Sequence, residues 1–220
     1  AGDPEFKAFY EAYQDELDSI GKRPDLLIFN KNDYQERWGE DISKYSLEEL
    51  ANIVPKAIAG LEVRSSAYLS KKFVPKSDRP NLSFTPKVED LIVLKWIESY
   101  GVPHYYVQVF FDCIYMLPFE DILNLLCNAE LVESGIKNKK ITGIINDKKV
   151  FVIEKNPKNQ FKETIHIYLD NGIMLCDKLV EPNLIADRKE LKGGRLLHYV
   201  KFDGGDADLH MNLLANEFEV

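Results

Sequence analysis

Apolar residues recur at helical spacing from the start of the chain. Phe6, Phe9, Tyr10, Tyr13, Leu17 and Ile20 fall on one face, which predicts a helix that Gly21 ends. Pro24 then opens a short apolar run, PDLLIF, read as a strand. Ser46 with Glu49 has the spacing of a capping box and starts a second helix, running to about Ala59 and closed by Gly60. Pro55 stands inside that helix, as a kink or a new start. LEVRSSAYL reads as a second strand, and KKFVPKSDRPNLSFTP as a basic, turn-rich loop. Thr85-Pro86 starts a third helix, KVEDLIVLKWIESY, ended by Gly101. HYYVQVFFDCIYM is predicted as one long aromatic strand and PFEDILNLLCNAE as a fourth helix. Beyond residue 140 short β-like runs (KKITGII, KKVFVIE, ETIHIYL, GIMLCD, LLHYVKF) are separated by Asn, Gly, Asp and Pro. The last stretch, DGGDADLHMNLLANEFEV, is acidic and weakly patterned.

Strands alternating with helices predict an α/β fold: a central mixed sheet flanked by helices, followed by a β-rich C-terminal extension. The expected division is residues 1–6 as a cloning remnant, 7–165 as the core and 166–220 as the extension. The opening AGDPEF is set aside because it lacks an initiator Met and suits a vector junction, which leaves open a natural start upstream.

Composition narrows the classes. The 220 residues are 45% apolar and 29% charged, enough for one large core or for a core plus a small extension. No apolar run has the length of a membrane span and no secretory signal precedes the first helix. Cys113, Cys127 and Cys176 are odd in number with no CxxC pair, so they read as reduced thiols of a cytoplasmic protein. The net charge of −8 disfavours a nonspecific nucleic-acid coat protein but is compatible with a locally basic cleft. His104, His166, His198 and His210 have no zinc-site spacing, and no phosphate-binding glycine loop or nucleophile elbow is present.

Two carboxylates stand out. Asp25 sits at the start of one apolar strand and Glu62 lies within the next, with Arg64 two residues on and so on the same strand face. Carboxylates in such places are costly unless paired or metal-bound. Converging at a sheet edge they make an oxygen-rich site suited to Mg²⁺, which activates water and neutralises a phosphodiester in flight. A cation beside the second acid would hold the scissile phosphate. The plainer alternatives are a turn aspartate after proline and a solvated strand face.

The pattern Pro24-Asp25 followed by Glu62-Val63-Arg64 resembles the PD-(D/E)xK nuclease superfamily, in a version with a helix between the two strands. RPDLLIFNKNDY, WGEDIS, GLEVRSSAYL and LSFTPKVEDLIVLKWIESYGVPHYYVQVFFD, in that order, resemble type II restriction endonucleases of the AccI type. The likeness implies a restriction-endonuclease-like core and Mg²⁺-dependent hydrolysis of double-stranded DNA at a short specific site by a homodimer. It also implies a lysine where this chain has Arg64. Arginine is a poor general base, so the expected role of Arg64 is charge stabilisation at the phosphate. A lysine, if required, would come from Lys56, or else from Lys71 or Lys72.

Further candidates rest on position. Glu11, Asp15 and Glu16 lie on or near the polar face of the first helix and are either auxiliary acids or solvated charges. Gln108 shares a strand face with Tyr106 and either holds a water or phosphate or is a satisfied core residue. Lys71, Lys72, Lys76 and Arg79 are candidates for DNA phosphates, and Arg188 and Arg195, beside Gly193-Gly194, for base edges. Lys137, Lys139, Lys140, Lys148 and Lys149 read as solvent-facing hairpin turns. The competing class is a nuclease-like module that binds DNA or protein without cutting.

Overall fold

The computed structural model of the protein describes residues 4–35, 38, 42–66, 68–76, 81–134, 140–190 and 196–218. The first helix, α1 (Pro4–Ile20), ends at Gly21, which takes the left-handed conformation with φ +76°. A Cβ there would lie 2.5 Å from the Ile92 carbonyl oxygen and 2.8 Å from the Lys95 Cβ, so only glycine lets the chain turn so close to the neighbouring helix. Arg23 fixes the linker that follows. Its Nε and Nη2 donate to the two Glu16 oxygens at 2.6 and 2.8 Å, and its Nη1 donates to the carbonyls of Ile42 and Tyr45.

Strand β1 (Leu26–Phe29) then runs antiparallel to β2 (Ala57–Ser65), with Leu26 opposite Leu61. Between them, Ser46 caps α2 (Leu47–Ile53) in a full capping box with Glu49, as predicted. The predicted extension of this helix to Ala59 is corrected. Proline in a helix interior removes a backbone donor, and Pro55 sits in a 3₁₀ turn (Val54–Lys56), after which β2 begins at once. Gly60 lies inside β2, where a Cβ would stand 3.0 Å from His104 Nδ1 and 3.3 Å from the Pro24 Cβ.

After the two-residue strand β3 (Ser83–Phe84), the predicted third helix forms as a 3₁₀ segment (Val88–Ile92) running into α3 (Val93–Tyr100), with Gly101 as the left-handed stop. The aromatic run from His104 to Met116 is not one strand but a hairpin of β4 (His104–Val109) and β5 (Ile114–Pro118). Its turn is held by the Phe110 N–H donating to the Cys113 carbonyl, and by Asp112, which accepts from Ser70 N, Lys71 N and Ser70 Oγ. Helix α4 (Phe119–Asn128) follows. Next come β6 (Glu130–Ser134), β7 (Lys140–Ile145), β8 (Lys148–Glu154), β9 (Thr164–Tyr168) and β10 (Ile173–Cys176). The chain continues through β11 (Leu179–Val180), β12 (Asn183–Glu190), β13 (Leu196–Asp203), β14 (Asp206–Ala207) and α5 (Met211–Glu217).

The main sheet has the order β1-β2-β4-β5-β10 and is mixed: β2 and β4 are parallel and its other pairings antiparallel. Its last strand comes from beyond residue 165, so the central sheet reaches into the expected extension. A second, antiparallel sheet has the order β3-β9-β8-β7-β6. Leu50, Phe84, Trp96, Tyr106, Phe119, Ile122, Phe151 and Ile167 form one core that joins this sheet to α2, α3, α4 and one face of the main sheet. On the other face Ala59, Tyr105, Val107, Met116 and Leu175 are covered by Leu214 of α5 and by Leu209 and Phe218 beside it. Because side chains alternate along a strand, Leu61 and Val63 join that second cluster while Glu62 and Arg64 point to the opposite face. No helix among the described residues is long and apolar enough to cross a membrane.

Candidate active site

Glu62 is 4% exposed and stands opposite Tyr106 in the parallel register of β2 and β4. A buried carboxylate requires partners, and Glu62 has two cations on one oxygen. Lys22 Nζ lies 2.5 Å from Oε1 and Arg64 Nη2 lies 3.0 Å from it. The other oxygen, Oε2, is buried without a hydrogen-bond partner among the described residues. Burial pushes the Glu62 carboxyl upward, against the hydrogen bond and charge of Lys22, and the nearby Asp25 charge adds to the rise.

Asp25 is exposed, at the entry to β1, and its Oδ2 accepts the Val63 N–H at 2.8 Å. Its own N–H donates to the Leu61 carbonyl at 2.9 Å. The first acid is thus tied by its backbone and by one oxygen to the strand that carries the second, on either side of Glu62.

A third acid completes the cluster. Asp90, in the 3₁₀ segment before α3, accepts from Lys22 Nζ at 2.9 Å and from Arg64 Nη2 at 3.0 and 3.2 Å, and its Oδ2 accepts the Lys87 N–H at 2.8 Å. Burial works to raise its carboxyl, but the Lys87 N–H, Lys22 and Arg64 together hold it below the ordinary carboxylate range. For Lys22, burial works to lower the ammonium, and the hydrogen bonds to Glu62 and Asp90 outweigh it, so the net shift is upward. Arg64 is held protonated the more firmly by Asp90 and Glu62, against burial. Lys22 and Arg64 are thus shared between Glu62 and Asp90, and the Asp25 charge acts on Glu62 from beside this group.

Behind it Gln108 is fully buried, opposite Arg64 in the register. Its Nε2 donates to the Arg64 carbonyl and to Ser66 Oγ, both at 3.1 Å, and its Oε1 accepts from Thr85 Oγ1 at 3.3 Å. These contacts make it a satisfied core residue that fixes the end of β2. His104, opposite Gly60, is 3% exposed with neither ring nitrogen hydrogen-bonded among the described residues, and burial lowers its pKa to about 4.

The structure therefore brings Asp25, Glu62 and Arg64 to one place and adds Lys22 and Asp90, which the sequence reading missed. Lys56 is corrected as the accompanying lysine. It is exposed on the 3₁₀ turn before β2 with its Nζ 5.4 Å from the Trp38 ring centroid, a cation–π contact, and the lysine on Glu62 is Lys22. Glu11 is exposed on α1, and its neighbour Glu16 is the partner of Arg23. Lys71 and Lys72 are exposed on the turn that Asp112 holds, and Lys76 lines a cleft with Tyr68, Phe73, Glu154 and His166. Arg188 is exposed on β12 opposite His198. Arg79 and Arg195 lie outside the described residues.

Among the described residues no three Asp, Glu, His or Cys side chains converge as a ready-made cage for a divalent ion. Mg²⁺ needs less, since it is commonly held by one or two carboxylates with waters and substrate phosphate completing the shell. The unpartnered Glu62 Oε2 and the exposed Asp25 carboxylate are the oxygens that would hold such an ion.

A mixed α/β frame with an acid–cation cluster on its central sheet is consistent with the fold of restriction endonucleases. The family model of AccI restriction endonuclease matches residues 1–78 and 74–220. The chain belongs to that family, and its class is a restriction endonuclease, a site-specific nuclease that binds DNA. No curated protein and no solved structure matches the chain.

Proposed function

We propose that the protein hydrolyses phosphodiester bonds of double-stranded DNA at a short specific sequence, using Mg²⁺ held between Asp25 and Glu62, on the PD-(D/E)xK plan. The observation that carries this reading is the buried Glu62 Oε2, a carboxylate oxygen with no hydrogen-bond partner among the described residues, within the electrostatic reach of the Asp25 charge. Held by these two residues, such an ion would supply charge neutralisation at the phosphate and a water of lowered pKa.

The chain's own residues do the rest. Asp25, hydrogen-bonded to the β2 backbone, is held at a fixed distance from Glu62. Arg64 and Lys22 present positive charge to the phosphate and stabilise the negative charge that grows on its oxygens. Arg64 cannot act as a proton acceptor, because its guanidinium keeps its proton throughout the working range. Exposed Lys71, Lys72 and Lys76 grip the duplex backbone, which makes binding salt-dependent. The ribbon of β12 and β13, with Arg188 on one strand and Leu184, Leu196 and Val200 exposed, supports a second role in base contact or in pairing two copies as a homodimer.

The test is a digest of long plasmid and phage DNA with Mg²⁺, with EDTA, and with the variants Asp25→Asn and Glu62→Gln. Discrete bands that need the metal and both acids are expected. A retained gel shift without cutting by any form would replace this reading with a non-cleaving DNA-binding module.

A further inference from the structure

Lys22 and Arg64 do not each have a carboxylate of their own. Both touch Glu62 Oε1 and both touch Asp90 Oδ1, so two cations straddle the same two oxygens. The carboxylates are the rigid part. Glu62 is set in β2, and Asp90 is tied by the Lys87 N–H and is 5% exposed. The cations are the accessible part, with side chains 24% and 38% exposed against 6% for each acid. An anion arriving from solvent meets Lys22 and Arg64 first.

A divalent ion on Glu62 would place two further positive charges against these cations. Like charges at such range repel strongly in a part-buried site. The cations must yield Glu62 Oε1, while Asp90, outside the proposed Asp25–Glu62 pair, still retains them. A phosphate oxygen is the anion that can replace the partner they lose.

Resting on the function proposed above, we infer that Lys22 and Arg64 form a shared clamp, positioned by Asp90. It passes from Glu62 Oε1 to a DNA phosphate when a divalent ion takes the Glu62 carboxylate, so that metal and DNA each favour the binding of the other. Without DNA the two cations compete with the metal. Without metal Glu62 competes with the phosphate. The coupling is reciprocal by thermodynamic necessity. Asp90 is a positioning residue here, since it acts through the two cations.

The experiment reads binding rather than cleavage. Mg²⁺ is titrated calorimetrically into the protein without DNA. Lys22→Met and Arg64→Met should bind it on the order of tenfold more tightly than the unaltered chain, the scale of a close charge–charge coupling. Lys22→Arg, which keeps the competing charge, should stay near the unaltered affinity, and Asp25→Asn should lose binding. Separately, a fluorescent duplex is titrated in EDTA. Glu62→Gln should bind it severalfold more tightly and Asp25→Asn should not, although each removes one negative charge. Asp90→Asn should bind it more weakly, the reverse of what net charge dictates, because the clamp loses its anchor.

Magnesium binding that needs Asp25 but is unchanged by Lys22→Met and Arg64→Met would overturn the clamp and leave the metal site standing. So would Asp90→Asn tightening DNA binding in step with Asp25→Asn. Failure of every form to bind Mg²⁺, with DNA or without, would overturn the metal site and the clamp with it.

Discussion

The Asp25 carboxylate accepts the backbone N–H of Val63 at 2.8 Å, and Val63 separates Glu62 from Arg64. This bond joins the entry of β1 to the stretch of β2 that carries Glu62 and Arg64, so the position of the first acid is set by the strand that bears the second. Replacing Asp25 by Asn preserves an acceptor for Val63 but removes the charge. We expect DNA cleavage to fall on the order of a thousandfold or more, the scale of losing a metal-ion ligand. The melting temperature should shift little. Plasmid nicking rates and a thermal melt check both halves.

Arg64 reaches two acids from one guanidinium nitrogen. Arg64→Ala should reduce cleavage by about 10²–10³-fold, the scale of losing one preorganised group at a developing charge. Arg64→Lys should recover part of that loss, since it keeps the charge without the planar fork. Cleavage by Arg64→Ala at the unaltered rate would remove Arg64 from the chemistry.

Gln108 predicts a stability effect. Gln108→Leu keeps the volume but strips partners from the Arg64 carbonyl, Ser66 Oγ and Thr85 Oγ1. The expected loss is about 1–3 kcal/mol, as for buried polar groups left unpaired. Urea denaturation measures it.

His104 sets a pH window. Its pKa of about 4 in the folded chain lies below the ordinary 6.5 because burial excludes the charged form. The unfolded chain therefore takes up a proton first on acidification, and the stability contributed by neutral His104 is complete above about pH 6.5 and lost as pH falls toward 4. The loss is about 3 kcal/mol at 1.36 kcal/mol per unit. Denaturation midpoints across that window should flatten in His104→Phe, whose ring has no proton to gain.

Much of the frame was legible because short-range signals carry it. The Ser46–Glu49 capping box, Gly21, Gly101 and the apolar periodicity of α1, α3 and α4 are local, and the structure has those elements. What escaped depends on contacts across the chain. The β4–β5 turn has no Gly, Pro or Asn and is stabilised by Asp112 reaching Ser70 and Lys71. The start of β2 was hidden by a helical reading carried past Pro55. In the site, Asp25, Glu62 and Arg64 form a spaced pattern along the chain. Lys22 follows a helix stop and Asp90 sits among helix charges, and neither position marks that the two meet over Glu62.

The parallel pairing of β2 with β4 has a consequence for the order in which the molecule assembles. Arg64 and Gln108, linked across it, are 44 residues apart in sequence, and Asp90 joins Lys22 from 68 residues away. Contacts of such long sequence separation close late, since the loop entropy between them must be overcome first. The local helices and the hairpins can form while the acids and cations are still apart. A partly folded chain would then hold much of its secondary structure without the acid–cation cluster proposed as its active site, and cutting would require the long-range pairing to close.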